Sequence, residues 1–184
     1  VDSGGLGPDV NLMLRAATLP GSEIVLPLLM APALRRVGAA LGEIVGRLGR
    51  ASRADVQGIL EGLESLADRQ ARAAFVHTAR SVMDPAGQRI DARDRLYLSA
   101  RVPTLIVWGA DDRIIPVAHG QGAHALMPSS RFQIFPNAGH FPFNDDPERF
   151  VELMSDFMAS TEAARLDEAH IREMLRERAG AAKP

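Results

Sequence analysis

The chain contains no cysteine, which excludes disulfides, thiolate metal sites and a cysteine nucleophile together. It carries no excess of either charge. A formal net charge of −2 leaves no electrostatic basis for binding nucleic acid or an anionic membrane. It also lacks a long apolar run. Ile24 to Leu34 is broken by Pro27 and Pro32 and falls far short of the roughly 20 residues of a membrane span. No secretory signal is visible at Val1, and a cytoplasmic location is expected. The histidines are scattered, H-E-x-x-H is missing, and Asp145-Asp146 reads as a helix start, so no metal site is expected. Gly4-Gly5-Leu6-Gly7 has neither a following Lys-Ser/Thr nor G-x-G-x-x-G spacing, and no cofactor is expected. No G-x-S-x-G occurs anywhere.

What remains is globular: 184 residues, 46% hydrophobic and 24% charged, enough for one ordinary core. Residues 8–95 read as helical, with no convincing strand. Asp9 is placed to cap a helix ending at Leu19, and Ser22 a second one through Ile24, Leu26, Leu29 and Met30, kinked or divided by Pro27. Leu34, Val37, Leu41, Ile44, Val45 and Leu48 predict a third helix, and Ser52-x-x-Asp55 resembles a capping box opening a fourth. A fifth runs from about Asp68 to Met83, and Asp84-Pro85-Ala86-Gly87 predicts a turn. Residues 96–160 change to an α/β rhythm: a buried strand at Thr104 to Trp108, a helix from Pro116 to about Met127, a strand at Arg131 to Phe135, and an amphipathic helix opened by Asp146-Pro147. Residues 161–184 read as a charged helical tail. Trp108, the sole tryptophan, is placed in the core.

The two strands each end in a polar residue, where open α/β sheets place their sites. Gly109-x-x-Asp112-x-x-x-Pro116 and Ala138-Gly139-His140-x-Pro142, taken together, resemble the C-terminal part of the α/β-hydrolase fold. The resemblance implies an α/β fold in which residues 1–7 close a core strand, 8–95 form a helical cap and 96–160 complete the sheet, whose N-terminal half is absent. It implies Asp112 as the acid and His140 as the base of a catalytic triad, with Asp111 as turn chemistry and Asp2 as a fallback acid, since some relatives carry the acid after the preceding strand. Gly139 would let the backbone turn and aim the ring. Leu26, Leu29, Met30, Phe141 and Phe143 are candidates for an apolar acyl or alkyl pocket, against the plainer reading that they are core. His77, His119 and His124 are expected to pack or face solvent, and His170 has no role.

Val1-Asp2-Ser3-Gly4-Gly5-Leu6-Gly7 reads as the end of a core strand, so the expectation is the C-terminal half to two-thirds of a longer hydrolase. The implied reaction is hydrolysis of a small apolar carboxylic ester, lipase- or esterase-like, by a Ser-His-Asp triad whose serine lies upstream. Carbon–carbon bond hydrolysis is an alternative with the same fold. Dehalogenase or epoxide hydrolase chemistry would need an upstream Asp nucleophile, and a pseudo-hydrolase binding a partner is the non-enzymatic alternative. The 184 residues alone are expected to be inert toward esters and to aggregate or form a loose helical state. The sequence carries no signal for oligomeric state.

Overall fold

Among the described residues, those before about position 90 fold mainly as helices, as their apolar spacing predicts. The computed structural model describes residues 1–29, 40, 53–165 and 167–181. Helix α1 (Leu12–Ala16) is capped by Asn11, whose Oδ1 accepts from the Leu14 amide at 2.9 Å. Asp9, the expected cap, lies two residues too early. Helix α2 (Ser22–Leu29) begins from the Gly21 carbonyl, which accepts from Ile24 and Val25. Ser22 is therefore inside the helix rather than capping it, because Gly21 makes the reversal at φ +86°. Pro27 is accommodated within α2 without dividing it. The expected third helix lies outside the described residues, apart from Ala40.

Helices α3 (Arg53–Ser65) and α4 (Arg69–Val82) follow. Asp68 caps α4 by accepting from the amides of Gln70 and Ala71, both at 2.8 Å. Leu26, Leu66 and Val76 join α2 to α4 in a buried cluster flanked by Leu63 and Phe75. Strands β1 (Met83–Asp84) and β2 (Gly87–Gln88) then form a small antiparallel hairpin around the expected turn. Two-residue strands are too short to leave a periodicity, so the sequence reading of no strand in this stretch is corrected here. Gln88 anchors the amino-terminal loop: its Oε1 accepts from the Gly5 amide at 2.6 Å, and its Nε2 donates to the Asp9 carbonyl at 2.9 Å.

A 3₁₀ helix (Arg93–Ser99) leads into β3 (Leu105–Gly109), then α5 (Val117–Leu126) and β4 (Arg131–Phe135). The strands are parallel, in register from Leu105 with Arg131 to Gly109 with Phe135. Strand alternation sends Ile106 and Trp108 into a core with Ile114, Ile115, Ala123 and Met127. Val107 instead joins Phe135 and Ala138, packed by Phe150 and Leu153 of α7 (Pro147–Ser160). Helices thus cover both faces of β3, which is why its sequence is apolar without alternation. Trp108 is 1% exposed, and its indole donates to the Ile115 carbonyl at 3.1 Å. Gly120 allows α5 to close on it, since a Cβ there would lie 2.4 Å from the indole ring.

Asp146 caps α7 as expected, accepting from Arg149 N at 3.2 Å. A short helix α6 (Pro142–Asp145), not anticipated, fills the gap before it, and α8 (Glu168–Ala181) lies in the charged tail. Val1-Asp2 runs beside β3, with the Asp2 amide donating to the Val107 carbonyl at 3.1 Å. Among the described residues no helix is long and apolar enough to cross a membrane.

Candidate active site

Parallel pairing in register brings the C-terminal ends of β3 and β4 side by side, and the loops beyond them are stitched together. The Ala110 amide donates to the Phe135 carbonyl, and the Asp111 amide to the Ala138 carbonyl, both at 2.9 Å. Gly109 is required by this approach: a Cβ on it would sit 1.9 Å from the Gly139 carbonyl oxygen and 2.5 Å from that of Ala138. The loop after β4 reverses at Asn137, which adopts φ +61°. Asn tolerates that left-handed conformation better than most residues. Gly139 is not in that region, so its glycine is not explained by the sharp turn expected from the sequence. It is explained by space, because a Cβ there would lie 2.0 Å from Oδ2 of Asp55.

These loops place His140 Nδ1 2.9 Å from Asp112 Oδ2. The Asp112 side chain is fully buried, and that of His140 is 19% exposed. The other carboxylate oxygen of Asp112 accepts from the amides of Ile114 and Ile115 at 2.8 and 2.9 Å. A buried carboxylate with three donors is fixed in place. It directs the imidazole to carry its proton on Nδ1, leaving Nε2 free as an acceptor. Burial alone would lower the pKa of His140. The hydrogen bond and charge of Asp112, joined by the charges of Asp2 and Asp55, outweigh it and raise the pKa above the ordinary histidine value.

Two further carboxylates meet the histidine loop. Asp145 Oδ2 accepts from the Gly139 amide at 2.8 Å, and Asp55 Oδ1 from the Phe141 amide at 3.2 Å. Sequence reading assigned Asp55 only to a capping box, whose Ser52 lies outside the described residues. Its role across 86 positions leaves no local signal. Asp111, expected as turn chemistry, is exposed. Asp2 is buried at φ +40°, and its Oδ1 accepts from the Gly109 amide at 3.1 Å. Its Oδ2 is buried with no hydrogen-bond partner among the described residues. Desolvation, aided by the charge of Asp112, pushes the Asp2 pKa up to about 7, although the Gly109 amide and the charge of His140 oppose it.

Phe141 stands edge-on to His140 with ring centroids 5.1 Å apart, and Phe143 follows it at 5.9 Å. Leu26 packs among helix side chains in the α2–α4 cluster. The Leu29 side chain and Met30 lie outside the described residues. Of the remaining histidines, His119 is buried, 3.5 Å from Asp9 Oδ2, and His124 pairs with Ser130 Oγ at 2.8 Å. His77 is exposed, and His170 pairs with Asp167 on the surface. No group of three metal-ligating side chains occurs among the described residues.

The sequence profile of the alpha/beta hydrolase family matches residues 2–153. An uncharacterized protein of Mycobacterium tuberculosis is 41% identical over 187 aligned residues, covering 99% of this chain and 54% of that protein. The chain thus spans about half the length of these curated relatives. A 2-hydroxy-6-oxo-6-phenylhexa-2,4-dienoate hydrolase of Burkholderia cepacia is 37% identical over 60 residues, 33% of this chain and 21% of that enzyme. Among solved structures, an esterase of Rhodococcus sp. ECU1013 superposes with a TM-score of 0.50 at 24% identity, covering 86% of this chain and 52% of that one. That likeness is one of fold.

Proposed function

The chain belongs to the alpha/beta hydrolase family, and on that premise we propose that it supplies the acid and base of a Ser-His-Asp hydrolase acting on small apolar carboxylic esters. The observation that carries this reading is His140 held at 2.9 Å from the buried Asp112, whose second oxygen is pinned by two amides. His140 Nε2 takes the proton of a serine hydroxyl as that oxygen attacks the ester carbonyl, then returns it to the leaving alkoxide. Asp112 fixes the tautomer and stabilises the imidazolium. Asp112 rather than Asp2 is the acid, because Asp112 Oδ2 lies 2.9 Å from His140 Nδ1, whereas Asp2 bonds the Gly109 amide and not the ring. In this reading the serine and the oxyanion hole come from the part of the whole protein that precedes Val1. The helices α1 to α4 form a cap, and Phe141 and Phe143 form an apolar wall beside the base.

A second reading, cleavage of a carbon–carbon bond in a dienoic ring-fission product, is favoured by the local match to the Burkholderia cepacia enzyme. Both use the same acid and base. The test is turnover by the full-length protein of p-nitrophenyl acetate to octanoate beside a dienoic ring-fission substrate. Ester turnover that His140→Ala abolishes supports the proposal. Turnover of the dienoic substrate alone selects the second reading, and turnover that survives His140→Ala refutes both.

A further inference from the structure

Burying a carboxylate is costly unless donors compensate it, yet α3 buries Asp55 to 3% exposure against the histidine loop. Three contacts converge there. Oδ1 accepts from the Phe141 amide at 3.2 Å. Oδ2 occupies the space a side chain on Gly139 would need, 2.0 Å from the position of its Cβ. One turn further along the same helix face, Gly58 receives the Phe141 ring, whose Cε2 would be 2.6 Å from a Cβ on that glycine. Glycine is disfavoured inside a helix, and at Gly58 the seat for Phe141 accounts for it. On the opposite side the Gly139 amide is held by Asp145 at 2.8 Å. His140 therefore lies between two amides, each fastened to a carboxylate, one from α6 and one from α3.

We propose that Asp55 is a positioning residue for His140, holding the histidine loop from α3 so that the seating of this helix and the aim of the imidazole are coupled. The inference rests on His140 being the base, as proposed above. Asp55 does not touch the reacting atoms. It acts through the Phe141 amide and through its charge, which faces a ring also faced by Asp112 and Asp2, with Asp145 as a further acidic neighbour of Asp55 itself.

The test compares Asp55→Asn and Asp55→Ala with wild type in the full-length protein. It follows the ¹⁵N titration of the His140 imidazole together with kcat and KM on the best ester. Both variants remove one negative charge facing the ring, so both are expected to move the His140 midpoint to lower pH. Asn keeps an acceptor for the Phe141 amide, and kcat should stay within about threefold of wild type. Ala removes the acceptor, and kcat should fall by about tenfold or more while KM changes by less than about twofold. An unmoved midpoint in Asp55→Asn, or wild-type kcat in Asp55→Ala, overturns the inference; if the Ala variant does not fold, the Asn titration decides. His140→Ala separates the two claims. Retained turnover there sinks the base assignment itself, whereas lost turnover beside an unmoved Asp55→Asn midpoint sinks only the role of Asp55.

Discussion

Gly109→Ala should disable the site without touching either of its titrating groups. The new methyl would stand 1.9 Å from the Gly139 carbonyl oxygen, against the 3.0 Å that real Cβ contacts respect, so the histidine loop must retreat by about 1 Å. His140 rides on that loop and Asp112 does not. Their 2.9 Å contact then opens to about 3.9 Å, beyond hydrogen-bond range. Losing a charge-assisted hydrogen bond of about 1.5–3 kcal/mol corresponds to roughly 10- to 150-fold. A misplacement of 1 Å in a catalytic group costs a similar factor, about 100-fold. The expected result is a fall in kcat of about 100-fold with little change in KM. Overpacking should lower stability by about 1–3 kcal/mol. The assay is steady-state hydrolysis of p-nitrophenyl butyrate by the full-length protein, with near-UV circular dichroism to establish that the variant is folded. A folded Gly109→Ala protein with wild-type kcat would refute the argument that this glycine sets the distance between acid and base.

Asp112→Asn keeps an acceptor for the Ile114 and Ile115 amides but loses the charge facing His140. By analogy with serine proteases kcat should fall by about 10⁴-fold. Unchanged turnover would show that another group orients the imidazole. Asp2→Asn should stabilise the protein, and only at higher pH. The Asp2 pKa is raised from 3.8 to about 7, so the folded state resists its ionisation. The stability that goes with the protonated form is complete below about pH 4 and lost as pH rises through 7. At 1.36 kcal/mol per decade the penalty removed reaches at most about 4 kcal/mol above pH 8. Urea unfolding at pH 5 and pH 8 checks this; a gain equal at both pH values would contradict it. Because the His140 pKa is raised, the acid limb of kcat/KM should fall above the ordinary histidine value. A limb at or below that value would mean His140 is not the group titrating.

Much of the part built on β3 and β4 was legible in the sequence because it is written locally. Leu105 to Trp108 is apolar throughout because β3 is covered on both faces, and such a run can be read without knowing its neighbours. The polar residues just past each strand mark the loops, and the two flanking motifs lie within the stretch that the family profile matches. What stayed hidden depends on residues distant in sequence. Asp55 reaches Phe141 across 86 positions, so nothing near either residue announces the contact. The glycines at 109 and 139 are legible as glycines but not for their reason: Gly109 makes room for the histidine loop and Gly139 for a side chain of α3, with neither backbone in the left-handed region. Cap residues were misassigned at α1 and α2 because Asp9, Asn11, Gly21 and Ser22 all suit a helix start, and only tertiary placement chooses among them.

In the proposed reaction His140, oriented by Asp112, activates a serine. The most direct test is the rate at which a fluorophosphonate labels the full-length protein, in wild type and in His140→Ala. Labelling of a single serine within an upstream G-x-S-x-G is expected, slowed by about 10³-fold or more when His140 is removed. Labelling at the same rate in both proteins would contradict that role of His140.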